Sequence, residues 1–307
     1  GGVRRAVSPP VTVLICTCNR HELLAGALRS LAACSPRPER VVVVNGGDER
    51  ADAVVEDARS SGLNLELVKT KNINLAVSRN IGLAHCGESI IAMTDDDAEV
   101  FPDWIAQIAR ALDEHPGAGA VGGAVIGTSE HTIVGKVADL TTFPSYAGVR
   151  TVRTLPGVNI AYRAEALAAA GEYDPRLFRG EDVDVNWRVI RAGYTIVYDP
   201  AIRVYHHHRP GARSLVRQHY MYGRAYLRLR RKWPDMYSVF PHKMSSVADV
   251  RKLGWFFVAP LVLPLAQAAR LGWHGPGALP LLYAREIGWR WGIIRQSLLD
   301  RGKKASS

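Results

Sequence analysis

Three clusters of side chains in this sequence have the chemical character of a reactive centre. The first is Asp95-Asp96-Asp97, three carboxylates in a row directly after the apolar run 89–94. Adjacent carboxylates repel unless a cation neutralises them, and oxygen-rich clusters of this kind suit Mg2+ or Mn2+ bridging a diphosphate. The plainer reading is a solvated turn with one Asp capping a helix that begins near Pro102. The second cluster is Glu181-Asp182, with Asp184 close behind, after an Arg179-Gly180 loop that opens a helix. One acid at a helix start is ordinary capping. Three within four positions leave a carboxylate free to act as general base toward a hydroxyl nucleophile. The third is His206-His207-His208 at the end of a short strand, suited to contact a metal or a phosphate.

Such groups act together only if the chain holds them at one edge, and the order of apolar runs supplies the means. Residues 11–16 form a short apolar run that ends at Thr17-Cys18-Asn19-Arg20. Leu23, Leu24, Ala27, Leu28 and Leu31 then recur at helical spacing. Val41 to Val44 form the next run, closed by the turn signal Asn45-Gly46-Gly47-Asp48. Helices are expected over 51–60, 76–85, 102–112, 164–170 and 181–192. Strands are expected over 63–68, 89–94, 120–126, 157–162, 195–198 and 202–205, and 127–152 is irregular in pattern. Apolar strands each followed by a helix imply an α/β fold with a mostly parallel sheet covered on both faces. Ligands of such sheets sit at the carboxyl ends of the strands, where Asn19, Asn45 and the Asp triplet fall. There is no GxGxxG after the first strand and no GxxxxGK[ST], which argues against a dinucleotide oxidoreductase and a P-loop NTPase.

Composition excludes collagen-like, coiled-coil and wholly disordered chains, since 47% of the 307 residues are hydrophobic and 22% charged. The net charge of +10 is unevenly spread. Residues 201–307 hold 19 Lys and Arg against 4 Asp and Glu, whereas 1–200 hold 20 against 25. In the basic third, Arg213, Arg217, Arg224, Arg228 and Arg231 share one face of a helix, interleaved with Tyr220, Tyr222 and Tyr226. Two uncharged stretches follow, 253–269 and 271–284, both interrupted by proline. Spanning a bilayer takes roughly 20 apolar residues, so a Pro-broken re-entrant or interfacial element is expected. Basic residues beside apolar surface are what an anionic leaflet attracts. Gripping nucleic acid is the competing use of such a tail, and no nucleic-acid partner is expected. Cys16, Cys18, Cys34 and Cys86 lack zinc-site spacing and read as buried free thiols of a reducing compartment. With no secretory signal before the first strand, the expected location is cytoplasmic, at the inner face of the cell membrane.

Jointly these features resemble the inverting glycosyltransferases of family 2, which have the GT-A fold, from about Val11 to His208. Val-Thr-Val-Leu-Ile-Cys-Thr-Cys-Asn-Arg is similar to that family's opening strand and donor-binding loop, and residues 74–82 to its helix bearing Arg79-Asn80-Ile81-Gly82. Thr94-Asp95-Asp96-Asp97 looks like its DxD, and 157–163 like the strand and loop under the donor sugar. Residues 180–184 with Trp187-Arg188 resemble its Glu-Asp helix, and 204–209 its late His segment.

The resemblance implies a nucleotide-diphosphate sugar, a UDP-sugar, bound by Thr17, Asn19, Arg20, Asn45, Arg79, Asp95, Asp96 and Asn159. It implies Mn2+ or Mg2+ held by Asp97 and Asp95 with His206 or His208, and Asp182, beside Glu181, as catalytic base toward a hydroxyl acceptor, lipid-linked or anionic. The family usually carries Asp where this chain has Asn45, and Asp96 offers a second register for the metal. The expected organisation is a GT-A domain over 1–210, with a donor half at about 11–100 and an acceptor and catalytic half at about 101–210, then a helical segment over 211–307. A nucleotidyltransferase shares such a sheet and acidic site but has no evident use for both the Glu-Asp helix and the late histidines.

Overall fold

β-Branched runs and helical leucine spacing alternate through the first hundred residues, and the structure follows them. A computed structural model describes residues 10–87, 89–129, 131–209, 211–236 and 247–305. In chain order the first elements are β1 (Val11–Thr17), α1 (His21–Ala32), β2 (Arg40–Asn45), α2 (Arg50–Arg59), β3 (Leu65–Lys69), α3 (Leu75–Leu83) and β4 (Ile90–Asp95). Next come β5 (Ala98–Val100), α4 (Trp104–Glu114), β6 (Ala118–Gly127), α5 (Ile133–Thr142), β7 (Arg150–Val152), β8 (Ile160–Arg163), α6 (Ala164–Ala170), α7 (Glu181–Arg191) and β9 (Thr195–His206). The last are α8 (Ala212–Lys232), α9 (Val247–Arg270) and α10 (Gly275–Ala305). The chain divides into two units, residues up to Ile126 with Phe143–His207, and Gly127–Thr142 with all that follows His207.

The first unit is a mixed α/β sheet in the order β3-β2-β1-β4-β8-β6-β9-β5, with β7 on β9. Strands β3, β2, β1 and β4 are parallel; β8 joins β4 antiparallel, and β5 and β7 join β9 in the same way. Successive strand residues point to opposite faces. Val13, Ile15, Val41 and Val43 pack with Leu24, Leu28, Trp104 and Ile108 on one side. Leu14, Val42 and Val44 pack with Met93, Tyr162, Tyr173 and Tyr198 on the other. Both faces are therefore apolar, and a one-residue slip would exchange them.

Three sequence expectations change here. Residues 195–206 are one twelve-residue strand, β9, that continues through Pro200 rather than two short ones. The triplet Asp95-Asp96-Asp97 turns β4 into β5 and caps no helix. Of the cysteines, Cys34 and Cys86 are buried while Cys16 and Cys18 are half-buried, and all four are free thiols. Burial pushes the thiols of Cys16 and Cys86 up to about 12.

The second unit is helical. The irregular 127–152 stretch contains α5, whose Val137 and Ala138 form a small core with Leu215, Ala268, Ala278 and Leu282. Helices α9 and α10 run unbroken through Pro260, Pro264 and Pro280, contrary to the expected interruption. Each proline removes one backbone donor, and with Pro260 and Pro264 four residues apart those losses fall on one face. Helices α8 and α10 approach closely at Gly223, Gly288 and Gly292: a Cβ at Gly223 would overlap the Trp289 carbonyl, and one at Gly292 the Tyr220 carbonyl. The arginine face of α8 is partly spent inside this unit. Arg224 Nε donates to Gln296 Oε1 at 3.1 Å, and Arg231 pairs with Asp300.

Candidate active site

Parallel pairing brings the carboxyl ends of β1, β2 and β4 to one edge, with Thr17 opposite Asn45 and Cys16 opposite Asp95. The Asp triplet turns over that edge. Thr17 Oγ1 donates to Asp96 Oδ2 at 2.7 Å, and Arg20 donates to Asp96 Oδ1 at 2.8 Å and Asp97 Oδ2 at 2.5 Å. Because β5 runs antiparallel to β9 with Ala98 opposite His206, that histidine arrives beside Asp97, its Nε2 3.4 Å from Oδ1. Phe143 packs edge-on against the His206 ring at 5.0 Å.

The two acidic clusters are joined by Arg79. It projects from α3, whose start is capped by Asn74 accepting from the Val77 N–H. The guanidinium is buried, donates to Glu181 Oε1 at 2.8 Å and lies 3.5 Å from Asp95 Oδ1. Gly157 is what leaves it room, since a Cβ there would overlap the guanidinium. Gly157 also donates its N–H to Asp182 Oδ2 at 3.0 Å, while Asp182 Oδ1 accepts from Val183 N–H at 2.8 Å.

The three acids of α7 are thereby sorted. Asp184 is fully buried and paired with Arg188, and Glu181 is buried against Arg79. Asp182 stays half-buried, oriented by two backbone N–H groups. Gly180 enters this helix at φ 77°, a left-handed conformation that glycine adopts without a Cβ penalty.

Several expected site residues take other tasks. Asn159 is fully buried, accepting from Trp104 Nε1 and donating to the Ala124 and Ile202 carbonyls. It ties strands together in the core and is out of reach of a ligand. Asn45 spends its amide inside its own loop, donating to Asp48 O and Asp52 Oδ1 and accepting from Gly47 N–H. Asn19, at φ 56°, accepts from Asp48 N–H in the facing loop. Of the three histidines only His206 faces the triplet. His207 pairs with Glu99, and His208 belongs to the second unit, where its Nε2 meets Asp139 Oδ1 at 2.6 Å. Gly157 and Phe143 as direct neighbours of these groups were missed. No local signal marks Phe143, whereas Gly157 opens the motif that resembles the strand and loop under the donor sugar.

The electrostatics favour a cation. Asp95, Asp96, Asp97, Glu181 and Asp182 gather around two guanidiniums, Arg20 and Arg79. Burial pushes the Asp96 carboxyl up to about 6, against the pull of Arg20. Burial also raises Asp95 and Glu181, against Arg79. Burial acts upward on Asp97 as well, but His206 and Arg20 outweigh it and hold that carboxyl low. Asp97 Oδ1 is buried without a hydrogen bond of its own, 3.4 Å from His206 Nε2. Among the described residues no group of three or more His, Cys, Asp or Glu side chains is placed to hold a metal ion by itself. Two or three protein ligands completed by substrate phosphates is the usual arrangement for Mg2+, so the residues present fit a cation shared with a diphosphate.

Comparison with known proteins places this geometry. A Haloferax volcanii glucosyl-dolichyl phosphate glucuronosyltransferase is 27% identical over 218 residues, covering 64% of this chain and 68% of that protein. A Mycobacterium tuberculosis pre-mycofactocin glycosyltransferase is 28% identical over 236 residues, 73% of this chain, which spans about half (48%) of that relative's length. Among solved structures, the mannosyltransferase PcManGT from Pyrobaculum calidifontis, in complex with GDP-Man and Mn2+, matches with a TM-score of 0.65 at 19% identity, covering 94% of this chain and 88% of that one. That likeness concerns the fold, which is of the GT-A type. The family model for glycosyl transferase family 2 matches residues 12–169, just over half the chain, and the protein is thus a glycosyltransferase belonging to that family.

Proposed function

We propose that the chain is a metal-dependent inverting glycosyltransferase that moves a sugar from a nucleotide-diphosphate sugar to an acceptor hydroxyl. The observation that carries this reading is a half-buried carboxylate, Asp182, held by two backbone N–H groups and linked through Glu181 and Arg79 to Asp95. Mn2+ or Mg2+ held by Asp97 with His206 and Asp95 would offset the diphosphate charge and stabilise it as leaving group. Thr17, Asn19 and Arg20 line the nucleotide side of the edge. Asp182 takes the proton of the acceptor hydroxyl as its oxygen bonds the anomeric carbon and the carbon–oxygen bond to the diphosphate breaks. A single displacement without a covalent intermediate inverts that centre.

A UDP-sugar is the donor expected from the sequence resemblance, and the GDP-mannose of the archaeal mannosyltransferase makes a guanine nucleotide the competitor. The Haloferax relative acts on a dolichyl phosphate sugar, which supports a lipid-linked acceptor. Residues Leu253–Arg270 of α9 are long and apolar enough to cross a membrane, and only 17% of them are buried. We place the enzyme at the inner face of the cell membrane, with this surface in contact with lipid.

Asp182→Asn is expected to cut turnover about a thousandfold while donor affinity stays within about twofold. Unchanged turnover removes Asp182 from the mechanism. EDTA should weaken donor binding in calorimetry, and full affinity in the chelator overturns the metal reading.

A further inference from the structure

The second unit holds a cationic depression that the transfer reaction does not use. Lys136, Asp139 and Leu140 of α5 line it together with Arg270, Leu271 and His274, around a cavity of about 410 Å³. Lys136, Asp139 and Leu140 fall on one face of α5 by their three- and four-residue spacing. Val134, Val137 and Ala138 of the same helix pack into the core. Asp139, the one acid, is turned to His208 at 2.6 Å. A lysine, an arginine and an imidazole therefore share the depression with the aliphatic chains of Leu140 and Leu271.

Its position on the unit says what brings a ligand there. Arg270 is the last residue of α9, whose Phe257, Leu261 and Leu265 are each more than half exposed. Trp273, three residues on, is 100% exposed. An exposed Trp at the end of an exposed apolar helix suits the boundary between water and hydrocarbon. With that helix in contact with lipid, as proposed above, a cationic depression at its end would lie at the level of the bilayer phosphates.

We propose that this depression binds the phosphate of a phosphomonoester lipid, with Lys136, Arg270 and His274 as donors and Leu140 and Leu271 against the first carbons of its chain. The proposal rests on the membrane part of the reading above and adds a headgroup specificity that the reading alone does not require. Flotation of the full-length protein tests it, with phosphatidylcholine vesicles carrying either phosphatidic acid or phosphatidylglycerol at matched surface charge. The expected result is about tenfold tighter binding to phosphatidic acid, which Lys136→Gln with Arg270→Gln abolishes. Equal binding to both lipids, or a preference that survives the double substitution, overturns it.

Calorimetry with soluble dihexanoyl phosphatidic acid keeps the pocket testable if the protein fails to float at all, an outcome that would sink the membrane reading. Saturable binding lost in the double variant supports the pocket, and no binding refutes it. Inorganic phosphate in the same cell separates the sources. Binding as tight as that of the lipid would mean that the site takes free phosphate, and the lipid assignment would be withdrawn.

Discussion

Arg79 occupies the crowded centre of the site, and its neighbours show how little slack it has. The guanidinium sits between Glu181, Asp95 and the Tyr173 ring, whose centroid is 5.4 Å away. Burial opposes its charge, but Glu181, Tyr173 and Asp95 outweigh that, so it stays a cation at all accessible pH. Gly157→Ala would drive a methyl into this guanidinium. It should lower turnover by about a hundredfold, since displacements of about 1 Å are that costly, and stability by about 1–3 kcal/mol through overpacking. Steady-state kinetics and a thermal melt measure the two effects, and a variant of full activity would show that Gly157 has no part in holding the site.

At this scale the acidic groups were readable and the amides were not. Asp97 and Asp182 stand in local patterns, three carboxylates after a strand and acids at a helix start, that are visible within a few residues. Asn159 resembled a ligand contact from its neighbours alone. Its burial depends on Trp104, 55 residues away, and no local pattern reveals that.

Among the elements, the parallel strands were legible because two apolar faces make continuous runs. The joined strand β9 was not, because a proline inside a run argues against a strand and pairing with β5 and β7 overrides it here. The late helices were misjudged for a related reason: prolines mark breaks only when the surrounding turns have nothing else to hold them. Helix α8 carries a testable consequence. His219 is buried, donates its Nδ1–H to the Leu215 carbonyl at 3.0 Å, and has Arg285 and Glu286 as charged neighbours. Burial first, then Arg285, push it down from 6.5 to about 4. The folded protein therefore keeps it neutral where the unfolded chain would protonate it. Stability is intact above about pH 6.5 and is lost as the pH falls toward 4, by roughly 2 kcal/mol at pH 5. Thermal melts at pH 7.5 and 5 should show this loss, and His219→Leu should flatten it. An unchanged slope in the variant would assign the acid sensitivity to other groups.

For the whole molecule, the division of charge follows the two units. The helical unit holds 19 Lys and Arg against 6 Asp and Glu, and the sheet unit 20 against 23. Five acids of the sheet unit, Asp95, Asp96, Asp97, Glu181 and Asp182, gather at the candidate site. On the membrane reading proposed above, the excess of the helical unit would serve location. Binding to anionic vesicles should weaken as salt rises from about 0.1 M, where the Debye length is about 10 Å, to about 1 M, where it is about 3 Å. Donor affinity should change far less, because charges in a walled site are screened less. Co-sedimentation and donor titration over that range check both, and salt-insensitive vesicle binding would leave apolar contact alone as its cause.

The glycines that let α8 and α10 meet have a bearing on all of this. At Gly223 and Gly292 one helix backbone rests on the other, so the contact owes its strength to close dispersion packing and little to the exclusion of water. Hydrocarbon competes with a leucine seam but leaves backbone-to-backbone contact untouched. The pair is a joint whose angle is set by backbone contact and so does not depend on whether water or hydrocarbon surrounds it.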